Sequence, residues 1–217
     1  MGSSSTQRWI EEDPTLLWIN QYANPLNKGA HRKSTGPEIL KEFPEVDYLF
    51  VGTGTTGTLM GCAEFFDEHS PQTKVIAVDT VGSVTFGHEA GPRHIPGVGM
   101  SRNSELLDPS LLDDVLMIPE HETVLMCRAV RRMTGLVVGG STGTVLCGVR
   151  RYTNRVRAGE TAVMISPDFG DSYADTVYND NWVLERFPML ANELGSSGRT
   201  ADISDRERVC APGGDGS

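Results

Sequence analysis

The sequence predicts an α/β protein, with a three-layer parallel sheet covered by helices on both faces. Three observations predict it. Short, almost wholly apolar runs of strand length recur along the chain, helix-length segments separate them, and several of the 24 glycines in 217 residues cluster where a strand passes into a helix. Strands that are apolar at consecutive rather than alternate positions are buried on both sides, which is the pattern of a parallel sheet.

The first such run, Asp47 to Val51 (DYLFV), meets Gly52, Thr53, Gly54, Thr55, Thr56 and Gly57 and then TLMGCAEFFDEH, a strand, a glycine loop and a helix start. A second strand, Lys74 to Asp79, follows the helix-ending Ser70, Pro71 and Gln72. A third, Val115 to Ile118, opens onto a helix from His121 to Met133 that stops at Gly135. Val137 and Val138 lead into Gly139 to Gly143, a helix running toward Arg155, and a strand from Thr161 to Ile165. Upstream, Ser34 and Thr35 before Gly36, Pro37 and Glu38 read as a helix start with proline in its first turn. Residues 7–187 are expected to form one domain. Residues 1–6 are expected to be disordered, and residues 188–217 mostly a disordered tail, because beyond Pro188 the composition turns to Gly, Ser, Asp and Arg.

Composition narrows the function classes. With 19 Lys plus Arg against 29 Asp plus Glu the net charge is −10, which argues against nucleic acid as a partner. The absence of an apolar window of about 18 residues, and of a basic-then-apolar start, argues against a membrane partner and predicts a cytoplasmic protein. The cysteines at 62, 127, 147 and 210 have no paired CxxC spacing, so reduced core thiols are expected and no metal site.

The loop Gly52 to Gly57 is the strongest chemical signal. Glycines let consecutive N–H groups converge, the helix start adds partial positive charge, and threonine hydroxyls donate further, giving a cradle for a phosphate. It has no GK[ST] ending. Gly52, Gly54 and Gly57 fit G-x-G-x-x-G, but the nearest strand-end acid is Asp79. Taken alone, the loop fits a ligand-free turn equally well.

Other motifs accompany it in order: NQYANPLN from Asn20 to Asn27, His31, STGPEI from Ser34, GPRHIPGVG from Gly91 to Gly99, GGSTG from Gly139 to Gly143, and SPDFGDSY from Ser166 to Tyr173. That order resembles the pyridoxal-phosphate β-replacement enzymes of the cysteine synthase and cystathionine β-synthase family, with the tryptophan synthase β-like fold. Within it, Tyr22, GGSTG and YADTVYNDNWV (Tyr173 to Val183) resemble the branch that makes N-(2-amino-2-carboxyethyl)-L-glutamate from O-phosphoserine and glutamate. That branch feeds 2,3-diaminopropionate into siderophores and antibiotics. The resemblance implies pyridoxal 5'-phosphate as cofactor and a small amino-acid substrate. It gives Gly52, Thr53, Gly54, Thr55, Thr56 and Gly57 the cofactor phosphate, and places Gln21 and Tyr22 with the substrate. Gly97 and Gly99 match a loop closing over the centre. Asp168 falls where the family's cysteine synthases carry a serine facing the pyridine nitrogen; as a carboxylate it would hold that nitrogen protonated, or it turns away to cap the segment before Tyr173. His31 and His94 are expected to be satisfied loop histidines, and Arg93 and Arg102 solvated arginines beside the closing loop.

The resemblance also implies a lysine whose amine anchors the cofactor, upstream of NQYANP. The chain has four lysines, Lys28, Lys33, Lys41 and Lys74, and none stands before Asn20. The expectation is a large domain without its smaller domain or anchoring lysine, inactive alone and without a catalytic residue. It would be a fragment of an enzyme that starts upstream, or half of a split enzyme covered by a complementing chain or a second copy, or else a non-catalytic module that binds a phosphorylated ligand or a partner.

Overall fold

A computed structural model describes residues 8–196. Helices α1 (Pro25–Lys33) and α2 (Thr35–Glu42) precede strand β1 (Tyr48–Gly52), helix α3 (Gly57–His69) and strand β2 (Lys74–Thr80). After a long connection come β3 (Asp114–Ile118), α4 (Glu120–Thr134), α5 (Gly140–Tyr152), β4 (Ala162–Met164), α6 (Asp180–Arg186) and α7 (Ala191–Ser196). All pairings are parallel and the sheet order is β3-β2-β1-β4. The four predicted strands and the helices after Gly57, Pro119 and Gly139 are all present. Gly135, at φ 78°, closes α4 where the sequence places its end.

The strand order explains where a ligand can go. The chain moves outward from β1 through β2 to β3, then returns to the other side of β1 as β4. At such a reversal the connections leaving the two neighbouring strands part to opposite faces, opening a crevice at their carboxyl ends. The walls are rigid because Leu49, Phe50 and Val51 of β1 and Ile76, Ala77 and Val78 of β2 are buried. Leu59, Met60, Cys62 and Phe66 of α3 pack on one face, and Val145, Cys147 and Tyr152 of α5 on the other.

The C-terminal boundary differs from the sequence expectation. Order continues past residue 187 through a 3-10 turn, Pro188–Leu190, into α7. Leu190 is buried with Val183 and Phe187, and Leu194 packs against them. Composition averaged over the tail hid these two leucines. The expectations for residues 1–6, the tail beyond 196 and Cys210 lie outside the described residues. Among the described residues no helix is long and apolar enough to cross a membrane.

Helix α1 buries no residue of its own and lies across α3 through close backbone approach. A Cβ on Gly61 would overlap the Lys28 carbonyl and the His31 side chain. Lys28 Nζ to Glu64 at 2.5 Å, and Arg32 with Glu68, flank the contact. Gly61→Ala is therefore expected to destabilise the fold by about 1–3 kcal/mol through overpacking. Gly29→Ala, on α1 with nothing within 4 Å of the added Cβ, is expected to stabilise it by about 0.5–1 kcal/mol. Urea unfolding midpoints of the two variants check the contrast, and equal signs would contradict it.

Candidate active site

A cavity of about 350 Å³ opens where the sheet order reverses. The β1–α3 loop (Gly52, Gly54 to Leu59) lines one side, Gly97 and Val98 a second, Ser141 of α5 a third, and Ile165, Pro167 and Asp168 after β4 the last. The structure thus brings together residues spread over more than half the chain. A shallower cavity of about 410 Å³ lies at the opposite end of the sheet, where its Asp114, Arg155 and Tyr152 bond to one another.

The β1–α3 loop carries a run of backbone donors without acceptors. Among the described residues, the N–H groups of Gly54, Thr55, Thr56, Thr58 and Leu59 donate to no protein acceptor. Thr56 stands in the left-handed region at φ 68°, ψ −2°. For a β-branched residue that conformation is strained by about 1–2 kcal/mol, and it turns successive N–H groups toward one side. A bond from Thr56 Oγ1 to Ser104 Oγ (2.8 Å) holds it. Ser104 has one hydrogen, which goes to the Thr55 or Tyr22 carbonyl, so Thr56 is the donor in that pair.

The three threonines consequently differ. The Thr56 hydroxyl is consumed by Ser104, and only its N–H is left unpaired. Thr53 lies beneath the site: its N–H donates to the Val78 carbonyl (2.9 Å), its carbonyl accepts from Gly99 N–H (2.7 Å), and its buried hydroxyl has no partner. Thr55 keeps a usable hydroxyl. It accepts from Asn27 Nδ2 (3.1 Å) and, more weakly, from Gly57 N–H (3.4 Å), leaving its own proton to donate.

The segment after β4 is pinned to the start of α5. The Asp168 carbonyl accepts from Gly139 N–H (3.2 Å) and Thr142 Oγ1 (3.3 Å), and Thr142 Oγ1 also meets Ser166 Oγ at 2.8 Å. A Cβ on Gly139 would strike the Asp168 carboxylate. Tyr173 O–H donates to Asp168 Oδ2 (2.8 Å), while Asp168 Oδ1 is buried with no partner. One oxygen of Asp168 thus holds Tyr173, and the other is buried against Gly139 without a partner. Burial, then the bond to Asp168, raises the Tyr173 hydroxyl pKa and keeps it protonated.

The loop from Gly91 to Gly99 forms the third wall. Glu120 of α4 accepts from His94 N–H (2.8 Å) and Ile95 N–H (2.7 Å), and a Cβ on Gly97, at φ 99°, would strike Ser141 Oγ. Beneath the loop, burial raises the Asp79 pKa against bonds from Ser83 and Thr80 N–H.

Gln21, Tyr22 and Gly99 do not line the cavity, in contrast to the expectation. Gln21 is exposed and offers only its carbonyl, to Asn27 Nδ2 at 2.7 Å. The Tyr22 ring lies under the Arg102 guanidinium (4.6 Å). Gly99 is engaged by Thr53 below. Arg93 and Arg102 bond within their own surroundings, Arg93 to Ser101 (2.6 Å) and Arg102 to Glu105 (3.8 Å). His31 bridges Thr35 and Thr58, its burial favouring the neutral ring, and His94 packs edge-on to Phe187. Ser141 was missed as a site residue, although GGSTG, a glycine pair opening a helix with a hydroxyl next, carries the same signal as the first loop.

The comparisons with known proteins agree with this geometry. Residues 3–168 match the family model described as pyridoxal-phosphate dependent enzyme. The chain belongs to this family. It is 37% identical over 178 residues to N-(2-amino-2-carboxyethyl)-L-glutamate synthase of Ralstonia nicotianae, covering 82% of this chain and 53% of that protein. The O-acetylserine dependent cystathionine β-synthase of Helicobacter pylori superposes with a TM-score of 0.72 at 28% identity, over 80% of this chain and 57% of that one. An O-ureido-L-serine synthase shares the fold, with a TM-score of 0.76 at 22% identity over 95% of this chain and 61% of that one. The chain spans about half the length of the curated relative it matches. The family's cofactor is pyridoxal phosphate.

Nucleophilic cysteine chemistry has no place in the described site. Cys62, Cys127 and Cys147 are buried, and desolvation pushes each thiol up to about 12. Since an unfolded thiol titrates near 8.5, the stability linked to these groups is fully present below about pH 8.5 and is lost as pH rises toward 12. Iodoacetamide at about pH 8 is expected to leave all three unlabelled in the native chain and to label them after unfolding. Peptide mass mapping checks this, and native labelling at the unfolded rate would contradict it.

Proposed function

We propose that the chain is the cofactor-phosphate-binding part of a pyridoxal-phosphate β-replacement enzyme of the cysteine synthase type. The proposed reaction replaces the phosphate of O-phosphoserine with the amine of glutamate, in amino-acid biosynthesis leading to 2,3-diaminopropionate. The observation that carries the cofactor reading is one cavity with five unpaired N–H groups and the Thr55 hydroxyl at one wall and the Asp168 side chain at another. A phosphate ester fits the first and a protonated ring nitrogen the second. A cavity of about 350 Å³ suits a small cofactor.

When bound, the cofactor supplies an electron sink for the substrate's α-carbon. The residues of this chain bind and orient it. The N–H groups of Gly54, Thr55, Thr56, Thr58 and Leu59, with Thr55 Oγ1, would donate to the phosphate, where the α3 amino terminus adds favourable field. The Asp168 carboxylate would face the ring nitrogen, and Tyr173 and the Gly139 backbone fix that residue. Gly97, kept bare by Ser141, brings backbone close to the reacting end and limits water there.

No lysine lines the cavity: Lys28 is paired with Glu64, Lys33 and Lys41 are exposed, and Lys74 lies against Tyr48. Cofactor binding by these residues is therefore reversible, and an anchoring amine would come from a segment outside this sequence, on the same polypeptide or on a complementing chain. The same lysine placement supports a second reading, a non-catalytic module for phosphorylated ligands or a partner.

Titration with pyridoxal phosphate is expected to give saturable binding that Thr55→Val weakens about tenfold or more, the worth of a hydrogen bond to a charged group. Borohydride is expected to fix the cofactor to none of Lys28, Lys33, Lys41 and Lys74; specific labelling of one would refute the reversible mode. Asp168→Ala separates the two readings. It should weaken pyridoxal phosphate and spare inorganic phosphate if the site is built for the cofactor, and affect neither if the module takes any phosphate.

A further inference from the structure

Asn27 lies on α1, outside the cavity, yet its side chain is wedged between the Gln21 carbonyl and the β1–α3 loop that lines it. A Cβ on Gly57 would collide with Asn27 Oδ1, so bare glycine at the first position of α3 lets the amide lie against the loop. Its Nδ2 spends both hydrogens, one on the Gln21 carbonyl at 2.7 Å and one on Thr55 Oγ1 at 3.1 Å. An amide nitrogen is a donor only, so Thr55 Oγ1 must accept from it. The N–H of Gly57 approaches the same oxygen at 3.4 Å. A hydroxyl has two acceptor lone pairs and one proton; with both lone pairs engaged, the proton is what remains to face the cavity.

We infer that Asn27 is a positioning residue that fixes the Thr55 hydroxyl as an obligate donor, and so biases the β1–α3 loop toward an acceptor such as a phosphate oxygen and against a cationic group. Without Asn27 the hydroxyl can rotate and present a lone pair, which repels an anion. The inference deepens the proposed function and rests on its reading of the loop as the phosphate cradle. It assigns a task to the last asparagine of NQYANPLN and explains why that motif accompanies the glycine loop although it contributes nothing to the cavity lining.

A double-mutant cycle on pyridoxal phosphate affinity tests it, using Asn27→Leu, Thr55→Val and the pair. Asn27→Leu, near in size and uncharged, is expected to weaken the cofactor about fivefold in the Thr55 background and less than about twofold in the Thr55→Val background. A loss of equal size in both backgrounds would mean that Asn27 acts through packing alone and would overturn the inference. Asn27→Ser repeats the cycle should the leucine variant fold poorly. In the wild-type chain, the Asn27 side-chain amide resonances are expected to shift as inorganic phosphate is added and to stay still in Thr55→Val; no shift in the wild type counts against the inference. If the wild-type chain binds neither pyridoxal phosphate nor inorganic phosphate, the cradle reading itself falls. Phosphate-sensitive binding with an unchanged cycle removes only the role of Asn27.

Discussion

The unpaired backbone N–H groups at the start of α3 are the constraint around which the rest of the structure is arranged. A helix leaves its first donors without intrahelical partners, and here the preceding turn adds more by placing Thr56 in the left-handed region. Solvent could satisfy them on an open surface. In this fold they face a crevice formed because β4 returns to the near side of β1. The strain at Thr56 persists because its surroundings over-determine it: Ser104 grips the side chain, and its carbonyl caps the helix through Met60 N–H at 2.8 Å.

Three separate segments keep that crevice open and shaped. The NQYANPLN segment reaches the loop through Asn27 and Tyr22, the GPRHIPGVG loop through Thr53 and Gly99, and the SPDFG segment through the start of α5. Each contact relies on a glycine that lets backbone or a polar side chain approach too closely for a Cβ: Gly57 at Asn27, Gly97 at Ser141, Gly139 at Asp168. Three of the glycines thus sit at the joints of one site. Glu120 shows the same economy, one buried carboxylate holding two successive N–H groups of the loop opposite.

Much of this was legible in the sequence and some was not, for physical reasons. Strands and helices announce themselves through local periodicity, so β1 to β4 and α3 to α5 fall within a few residues of where the apolar runs place them. The glycine loops are local too. What sequence order cannot supply is the division of labour among like side chains. Thr53, Thr55 and Thr56 are adjacent and chemically equal, and only the distant Val78, Asn27 and Ser104 decide that one is structural, one a donor and one a strained hinge. Gln21 and Tyr22 sit in a motif next to the site, but that motif works through Asn27, facing the loop, while Gln21 faces solvent. Leu190 and Leu194 were lost in a polar average because two well-placed apolar side chains suffice to dock a short helix.

The distribution of charge bears on how such a site can work. Among the described residues Asp168 is the only charged one lining the cavity, and the chain as a whole carries −10. An anion entering there meets no lysine or arginine, so its binding depends on oriented N–H dipoles and one fixed hydroxyl, groups already aimed and already desolvated. Dipoles lose strength quickly with distance and angle, whereas a cation tolerates displacement. A cradle of this kind therefore discriminates by position: an anion tied to a ring whose nitrogen meets Asp168 lies where every donor can reach it, and a free anion does not gain that second contact. The scarcity of lysine, which first reads as a peculiarity of composition, is consistent with a site that orients its ligand by geometry and leaves the covalent step to an amine these residues do not place there.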